Sequence, residues 1–324
     1  MTKQSSNLMA SPPKPRCLIA WWGSLERGGE TAGDLRAVQQ MAGLVLSQQM
    51  DVAIATICAY RELNHYRCVR WQEVEPSSVD LLMFVCGPLI GDSVSFQALV
   101  ARFQNAASLA VGVSVLPQTS PSAWQGFDRI LARDGGFGTP LGDLAVFSTV
   151  DPRHPLQVQR IGLCLRGAQR EYGLEASLHA EADARVRAAV GRFGGEVVMI
   201  DTRLHGVEDA ADRIESEFEA VDVVVTTRMH GALLGLAKGK PTLGIDQVRH
   251  GAKLTSVLHQ IGWPAVIAAN ASETDLVRAL DFLQSDQVAA AIAKSQNTAA
   301  SRQLLAYYAV CCAIQEMLPR DYEE

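Results

Sequence analysis

Apolar runs of strand length alternate along the chain with stretches of helical period. The alternation opens with CLIAWW (17–22) and the stretch DLRAVQQMAGLVLSQ (34–48), in which Leu35, Val38, Ala42 and Val45 fall on one face. It continues through DVAIATI (51–57), LLMFV (81–85), the helical SVSFQALVARFQN (93–105), LAVGVSV (109–115) and ILA (130–132). The strand-like runs are apolar on both faces, the pattern of parallel strands covered by helices.

The pattern breaks at STVDPRHPLQ (148–157), where two prolines sit among polar residues, and then restarts. The second cycle reads RIGLCL (160–165), a helix over 178–193 with Leu178, Ala182, Val186, Ala189 and Phe193 on one stripe, and VVMID (197–201). A helix over 207–218, DVVVTT (222–227), a short helix to Lys238, TLGI (242–245) and helices over 252–261 and 273–283 follow. Residues 287–318 read as one or two further amphipathic helices. The pattern predicts an α/β protein of two Rossmann-like domains with parallel sheets, spanning 17–150 and 151–324, after a flexible segment 1–16. Open α/β sheets bind ligands beyond the carboxyl ends of their strands, so two in tandem predict a cleft between the domains.

Composition narrows the partners. The chain has 324 residues, 48% of them hydrophobic and 20% charged, enough to bury a sizeable core. Twenty-nine basic against 35 acidic side chains leave a formal charge of −6 with no strongly basic stretch, which disfavours a nucleic-acid partner. No apolar run approaches the roughly 20 residues of a membrane-spanning helix. The start, MTKQSSNLMASPPKPR, lacks the apolar centre of a signal peptide, so the cytoplasm is the expected location. Seven cysteines, at 17, 58, 68, 86, 164, 311 and 312, show no metal-ligand spacing; neither a metal site nor a disulfide is expected.

The sharpest chemistry lies in DVVVTTRMHGALLGLAKGKPTLGID (222–246), a buried strand, a tight turn and a helix stopped by Gly239 and Pro241. Arg228 and His230 fall at the helix start. Unpaired backbone N–H groups and the positive end of the helix dipole make that place an anion site, and a guanidinium adds forked donors. The plainer reading pairs Arg228 with a nearby carboxylate and packs His230 as a partly buried histidine.

Thr226-Thr227-Arg228-Met229-His230-Gly231, followed by Gly239-Lys240-Pro241, resembles the signature of the polysaccharide pyruvyl transferases, with Met in place of Leu. Lys253 before the apolar LTSVLHQ and Ile261-Gly262 matches a downstream Lys of that family. Gly33-Asp34 is similar to its Asn-x-Gly-Asp, although Thr31 stands where Asn is usual. Arg133-Asp134 resembles its strand ending in Arg-Asp, and Leu165-Arg166 its strand-end Arg. Cys86-Gly87-Pro88 replaces its Gly-Gly-Gly turn.

The resemblance implies a GT-B-like fold and transfer of a carboxyethylidene group from phosphoenolpyruvate (PEP) to a sugar of a glycan or its precursor, forming a pyruvate ketal, with no resident cofactor. It implies Arg166, Thr227, Arg228, Met229, Gly231 and Lys253 as contacts for PEP, His230 and Asp34 as proton-transferring groups, and Gly33, Arg133 and Asp134 on the acceptor side. A histidine titrating near pH 6.5 suits either proton transfer. A lipid-linked acceptor implies transient contact with a membrane surface. Two alternatives stand beside it: a GT-B glycosyltransferase that holds a nucleotide sugar at the same helix start, and a non-catalytic relative. Asp34 also reads as a plain helix cap, and Arg133 with Asp134 as a surface pair.

Overall fold

A computed structural model of the protein describes residues 14, 16–25, 30–57, 62–63, 65–89, 93–115, 125–135, 139–145, 147–152, 157–167, 174–205 and 210–318. The segment 1–13, Cys58 and residues 153–156 of the break between the halves lie outside them. The first sheet has seven strands: β1 (Arg16–Ala20), β2 (Asp51–Ala55), β3 (Glu62–Leu63), β4 (Tyr66–Val69), β5 (Leu81–Val85), β6 (Ala107–Val115) and β7 (Arg129–Gly135). Their order is β3-β4-β2-β1-β5-β6-β7, and every pairing is parallel except β3 with β4.

The second sheet holds β8 (Arg160–Cys164), β9 (Glu196–Met199), β10 (Val223–Thr226), β11 (Thr242–Asp246) and β12 (Val266–Ala268), all parallel, in the order β12-β11-β10-β8-β9. The helices are α1 (Ala32–Ser47), α2 (Val94–Arg102), α3 (His179–Phe193), α4 (Ala210–Glu219), α5 (Met229–Ala237), α6 (Lys253–Gln260), α7 (Glu273–Leu283) and α8 (Val288–Met317). The predicted α/β fold of two Rossmann-like domains with parallel sheets is the observed one.

The apolar runs became strands because both their faces are covered. β5 is buried at all five positions, and α1 buries the predicted face of Leu35, Val38, Ala42 and Val45. Helix α5 is buried at every one of its nine positions, which its small and apolar sequence MHGALLGLA permits. Strands β3, β4 and β12 were not legible as strands, being two to four residues long, and β3 and β4 are also partly polar.

Strand order reverses between β1 and β5 in the first sheet and between β8 and β10 in the second. At such a point the loops leave the sheet in opposite directions and open a crevice. The loops after β1, β5, β8 and β10 therefore hold the places where a ligand can lie.

The tail is one helix. Over its thirty residues, about 45 Å at 1.5 Å per residue, α8 runs along both domains. Gln296 donates to the carbonyls of Leu236 (2.8 Å) and Ala237 (3.2 Å), Gln303 to Ala145 O (2.7 Å), Tyr307 to Gln40 (3.3 Å), and Glu316 pairs with Arg129.

An ionic cluster, buried at Lys238 and Glu215 and open to solvent at Asp212 and Glu219, also joins the halves. Arg36 of α1 binds Glu215 Oε1 through Nε (2.9 Å) and pairs with Asp212, both on α4. Lys238 Nζ, its side chain 1% exposed, lies 2.9 Å from Glu215 and from Glu219 and bonds Ser148. Glu215→Ala should cost about 1–3 kcal/mol in denaturant unfolding, because it removes one of the two carboxylates at the buried Lys238 ammonium and one of the two at Arg36, leaving Glu219 and Asp212; a loss under about 1 kcal/mol would mean that the pair's attraction merely offsets its desolvation. Burial alone would raise the Glu215 carboxyl, but hydrogen bonds from Lys238 and Arg36 outweigh it and hold the group below its ordinary value. Its contribution is then complete above about pH 4.3 and lost as pH falls through the lowered value, so wild type and variant should converge in stability at acid pH.

Candidate active site between the domains

The two crevices face each other across a cleft of about 360 Å³. Trp22, Thr31, Asp34, Gly87, Pro88 and Arg133 line it from the first domain; Arg166, Thr202, Arg203, Thr227, Arg228, Met229, His230, Asp246 and Lys253 line it from the second. Eight of the residues singled out in the sequence therefore meet here: Asp34, Arg133, Arg166, Thr227, Arg228, Met229, His230 and Lys253.

Local hydrogen bonds fix the second-domain wall. Thr226 Oγ1 donates to Cys164 O (2.6 Å) and accepts from the Arg228 N–H (2.9 Å), while Thr227 Oγ1 accepts from the Arg166 N–H (2.8 Å). The ends of β8 and β10 are thus tied together, with Arg166 and Arg228 side by side. Arg228 is the extended N-cap of α5 and supplies no side-chain cap, so the first-turn N–H groups have no side-chain acceptor from it. Gly231, in the first turn of α5, faces the sheet, where a Cβ would come within 2.6 Å of Thr226 Oγ1 and 2.7 Å of Cys164 Sγ. It serves the packing of α5 on the sheet.

Arg228 Nε donates to Leu165 O (2.7 Å). Burial, aided by the charges of Arg166 and Arg203, pulls the guanidinium below its ordinary value. Arg203, which the sequence reading did not single out, is held by Asp201 through Nε (3.0 and 2.9 Å) and Nη2 (2.6 Å). Three guanidiniums around an uncapped helix start repel one another, and a bound anion relieves that repulsion. Lys253 begins α6, whose cap is Asp246: its Oδ2 accepts from Ala252 N, Thr255 N and Thr255 Oγ1 at 2.8–3.0 Å, and its Oδ1 from Val248 N at 3.0 Å.

His230 crosses to the first domain. Its imidazole lies against the backbone of Gly33, where any Cβ would collide with the ring. Nδ1 is 3.3 Å from Thr31 Oγ1 and 4.0 Å from Asp34 Oδ1. Thr31 and Asp34 form a capping box at the start of α1, Thr31 Oγ1 donating to Asp34 Oδ2 at 2.7 Å, so Asp34 both caps its helix and faces the cleft. Nε2 points the other way, 3.4 Å from Asp143 Oδ2. Burial would raise the Asp143 carboxyl, but the charge of His230, then Arg133 and the Ala145 N–H, hold it well below the carboxylate range.

Arg133 and Asp134 are buried, not a surface pair. Arg133 donates to Asp143 (2.9 Å), Ser114 (2.8 Å) and Asp134 (3.3 Å), which makes it a strut in the cleft wall; Asp134 and Gly33 stand behind the lining. The turn that replaces Gly-Gly-Gly keeps a glycine-like path, with Cys86 at φ 62° and its ends bonded to β6 through Leu89 N→Ser114 O (3.0 Å) and Ser114 N→Gly87 O (2.8 Å). Asp143 was missed because it lies in a stretch without helical or strand period. Its one signal was a carboxylate among apolar Leu141, Leu144 and Ala145. Among the described residues, no group of three or more His, Cys, Asp or Glu is arranged to hold a metal ion, and no helix is long and apolar enough to cross a membrane.

Two parallel-sheet α/β domains meeting at such a cleft define the GT-B class of fold. No protein family and no curated protein matches the sequence. Among solved structures, the MnaA–UDP co-structure from S. aureus is similar, with a TM-score of 0.56 at 9% identity over 95% of this chain and 98% of that one. UDP-GlcNAc 2-epimerase from Neisseria meningitidis bound to UDP-GlcNAc has a TM-score of 0.49 at 9% identity, covering 91% and 100%. An α,α-trehalose-phosphate synthase (UDP-forming) from Burkholderia vietnamiensis has 0.47 at 8%, covering 94% and 97%.

The arrangement predicts anion affinity that depends on the Arg228 fork. A charge-assisted hydrogen bond contributes about 1.5–3 kcal/mol, so Arg228→Ala should weaken binding of pyrophosphate by about tenfold or more in calorimetry, with Arg228→Lys in between. Unliganded stability should hold or rise slightly as the repulsion is relieved. Unchanged affinity with a loss of several kcal/mol in fold stability would make Arg228 a structural residue.

Proposed function

We propose that the protein is a pyruvyl transferase that moves the carboxyethylidene group of PEP onto two hydroxyls of a sugar, forming a pyruvate ketal and releasing phosphate. The observation that carries this reading is the crowding of Arg166, Arg203 and Arg228 around the uncapped start of α5, beside the His230 imidazole. PEP presents a carboxylate and a phosphate within one small molecule, and forked guanidiniums with backbone N–H groups suit both.

The chemistry needs one group that takes and returns a proton. The first sugar hydroxyl forms its C–O bond at C2 of PEP, losing a proton while the methylene carbon gains one. The second hydroxyl oxygen then displaces phosphate from C2, and phosphate leaves carrying that hydroxyl's proton. His230, with Asp34 4.0 Å from its Nδ1, makes the first exchange. Arg166, Arg228 and Lys253 hold the developing charge. The sugar lies on the first-domain side against Trp22, whose indole stacks on Phe96 (centroids 6.3 Å apart) and is fixed by Nε1 donating to Pro88 O (3.1 Å).

The second reading is an enzyme acting on a nucleotide sugar, motivated by the UDP of the S. aureus co-structure, whose fold this chain shares. Against it stands Asp246, the carboxylate of the second-domain wall, committed by four hydrogen bonds to its own loop and to α6 rather than open to a ribose diol.

A thermal-shift panel separates the two. PEP at 100 times its Kd should add about 2.7 kcal/mol of stability, and UDP and UDP-sugars none; stabilisation by UDP alone selects the nucleotide-sugar enzyme. His230→Asn should keep PEP binding and lower turnover by about a hundredfold or more. Undiminished turnover would return His230 to a packing role.

A further inference from the structure

We propose that Asp143 is a positioning residue for His230: it keeps a proton on Nε2, so that Nδ1, on the side of Thr31 and Asp34, is the nitrogen that exchanges protons with the cleft. The inference rests on reading His230 as the proton-transferring group. Asp143 lies in the segment leading out of β7, and its side chain is 5% exposed. Its Oδ2 accepts from Arg133 Nη1 at 2.9 Å and lies 3.4 Å from His230 Nε2, while Oδ1 accepts from Ala145 N at 2.8 Å. Arg133 is itself braced by Ser114 and Asp134. The carboxylate is therefore fixed, with its charge turned to a nitrogen that is buried and otherwise without a hydrogen-bond partner.

The two sides of the ring are unequal. Nε2 faces a carboxylate held by a guanidinium. Nδ1 faces a hydroxyl at 3.3 Å, with the Asp34 carboxylate farther off at 4.0 Å. A hydroxyl hydrogen can rotate: in the structure Thr31 gives it to Asp34, and when Nδ1 loses its proton Thr31 can turn and donate to Nδ1 instead. Asp143 is a fixed acceptor at Nε2, and Thr31 is an adjustable partner at Nδ1. When a sugar hydroxyl forms its bond to C2, its proton passes to Nδ1, the Nε2 proton stays beside Asp143, and the Nδ1 proton then goes to the methylene carbon. The charged and titratable groups facing this assembly are Asp34 from α1, Cys86 after β5, Arg133 from β7 and Tyr307 from α8, whose hydroxyl is pushed up to about 12 by burial and then by Asp143.

Nitrogen-15 NMR of histidine-labelled wild-type protein tests this without a variant in the measured state. The His230 signals are assigned by their loss in His230→Asn, and the neutral form should show the Nε2–H tautomer. A neutral Nδ1–H tautomer overturns the proposal. Turnover gives the second readout. Asp143→Asn, whose amide can donate to Nε2 and reverse the tautomer, should lower kcat by about a hundredfold or more with PEP affinity unchanged and the pH profile of kcat displaced. Equal kcat in that variant, or a change confined to melting temperature, also overturns it. The tautomer is read in the absence of PEP, so failure of the pyruvyl-transfer reading, seen in the thermal-shift panel, remains separate from failure here.

Discussion

The imidazole of His230 touches the backbone of Gly33, and the arrangement of the cleft follows from that approach. The ring can seat against α1 because the residue it meets there, Gly33, has no side chain, and at that place it has Thr31 and Asp34 on one side and Asp143 on the other. With the ring seated, the start of α5 is fixed relative to α1, and the arginines around it face Trp22 across a narrow gap. Widening that contact by one methyl group would separate the charges from the groups they face, because packed interiors yield little.

Charge is distributed unevenly around this contact. On the first-domain side the two buried or half-buried arginines are matched: Arg133 by Asp134 and Asp143, Arg36 by Asp212 and Glu215. At the end of the second sheet, Arg228 is desolvated beside two further guanidiniums. A fold selected only for stability gains nothing from that crowding, since each buried cation costs several kcal/mol unless compensated. Positive charge gathered at one point, where burial and the neighbouring guanidiniums lower the Arg228 value, is what distinguishes the ligand side of the cleft from its supporting side.

Much of this was legible in the sequence, and the rest fails for physical reasons. Strands such as β5 and helices such as α7 were read to the residue because burial on both faces, or along one stripe, writes itself into period and composition. Arg228 and His230 could be foreseen from the strand end and helix start they occupy, where parallel sheets gather their ligand groups, and Arg166 and Lys253 through the family resemblance. Asp143 and Arg203 could not. Local partners hold them, Asp201 for Arg203 and Arg133 for Asp143, but what brings them to the cleft is the imidazole of His230, 87 residues from Asp143, and the backbone of Thr31, 172 residues from Arg203, and no local period encodes a pairing set by the approach of two domains. The short strands β3, β4 and β12 take their form from a neighbouring strand more than from their own residues.

Helix α8 has a consequence for how the protein comes into being. The first sheet is complete in sequence by Gly135, yet Ala145, Gln40 and Arg129 receive their contacts from residues beyond 300, across as many as 267 positions. Loop closure over such a span is slow relative to local pairing, so the first domain must wait on the ribosome with part of its surface bare while the second is synthesised. The arrival of α8 is the event that covers that surface and ends the interval.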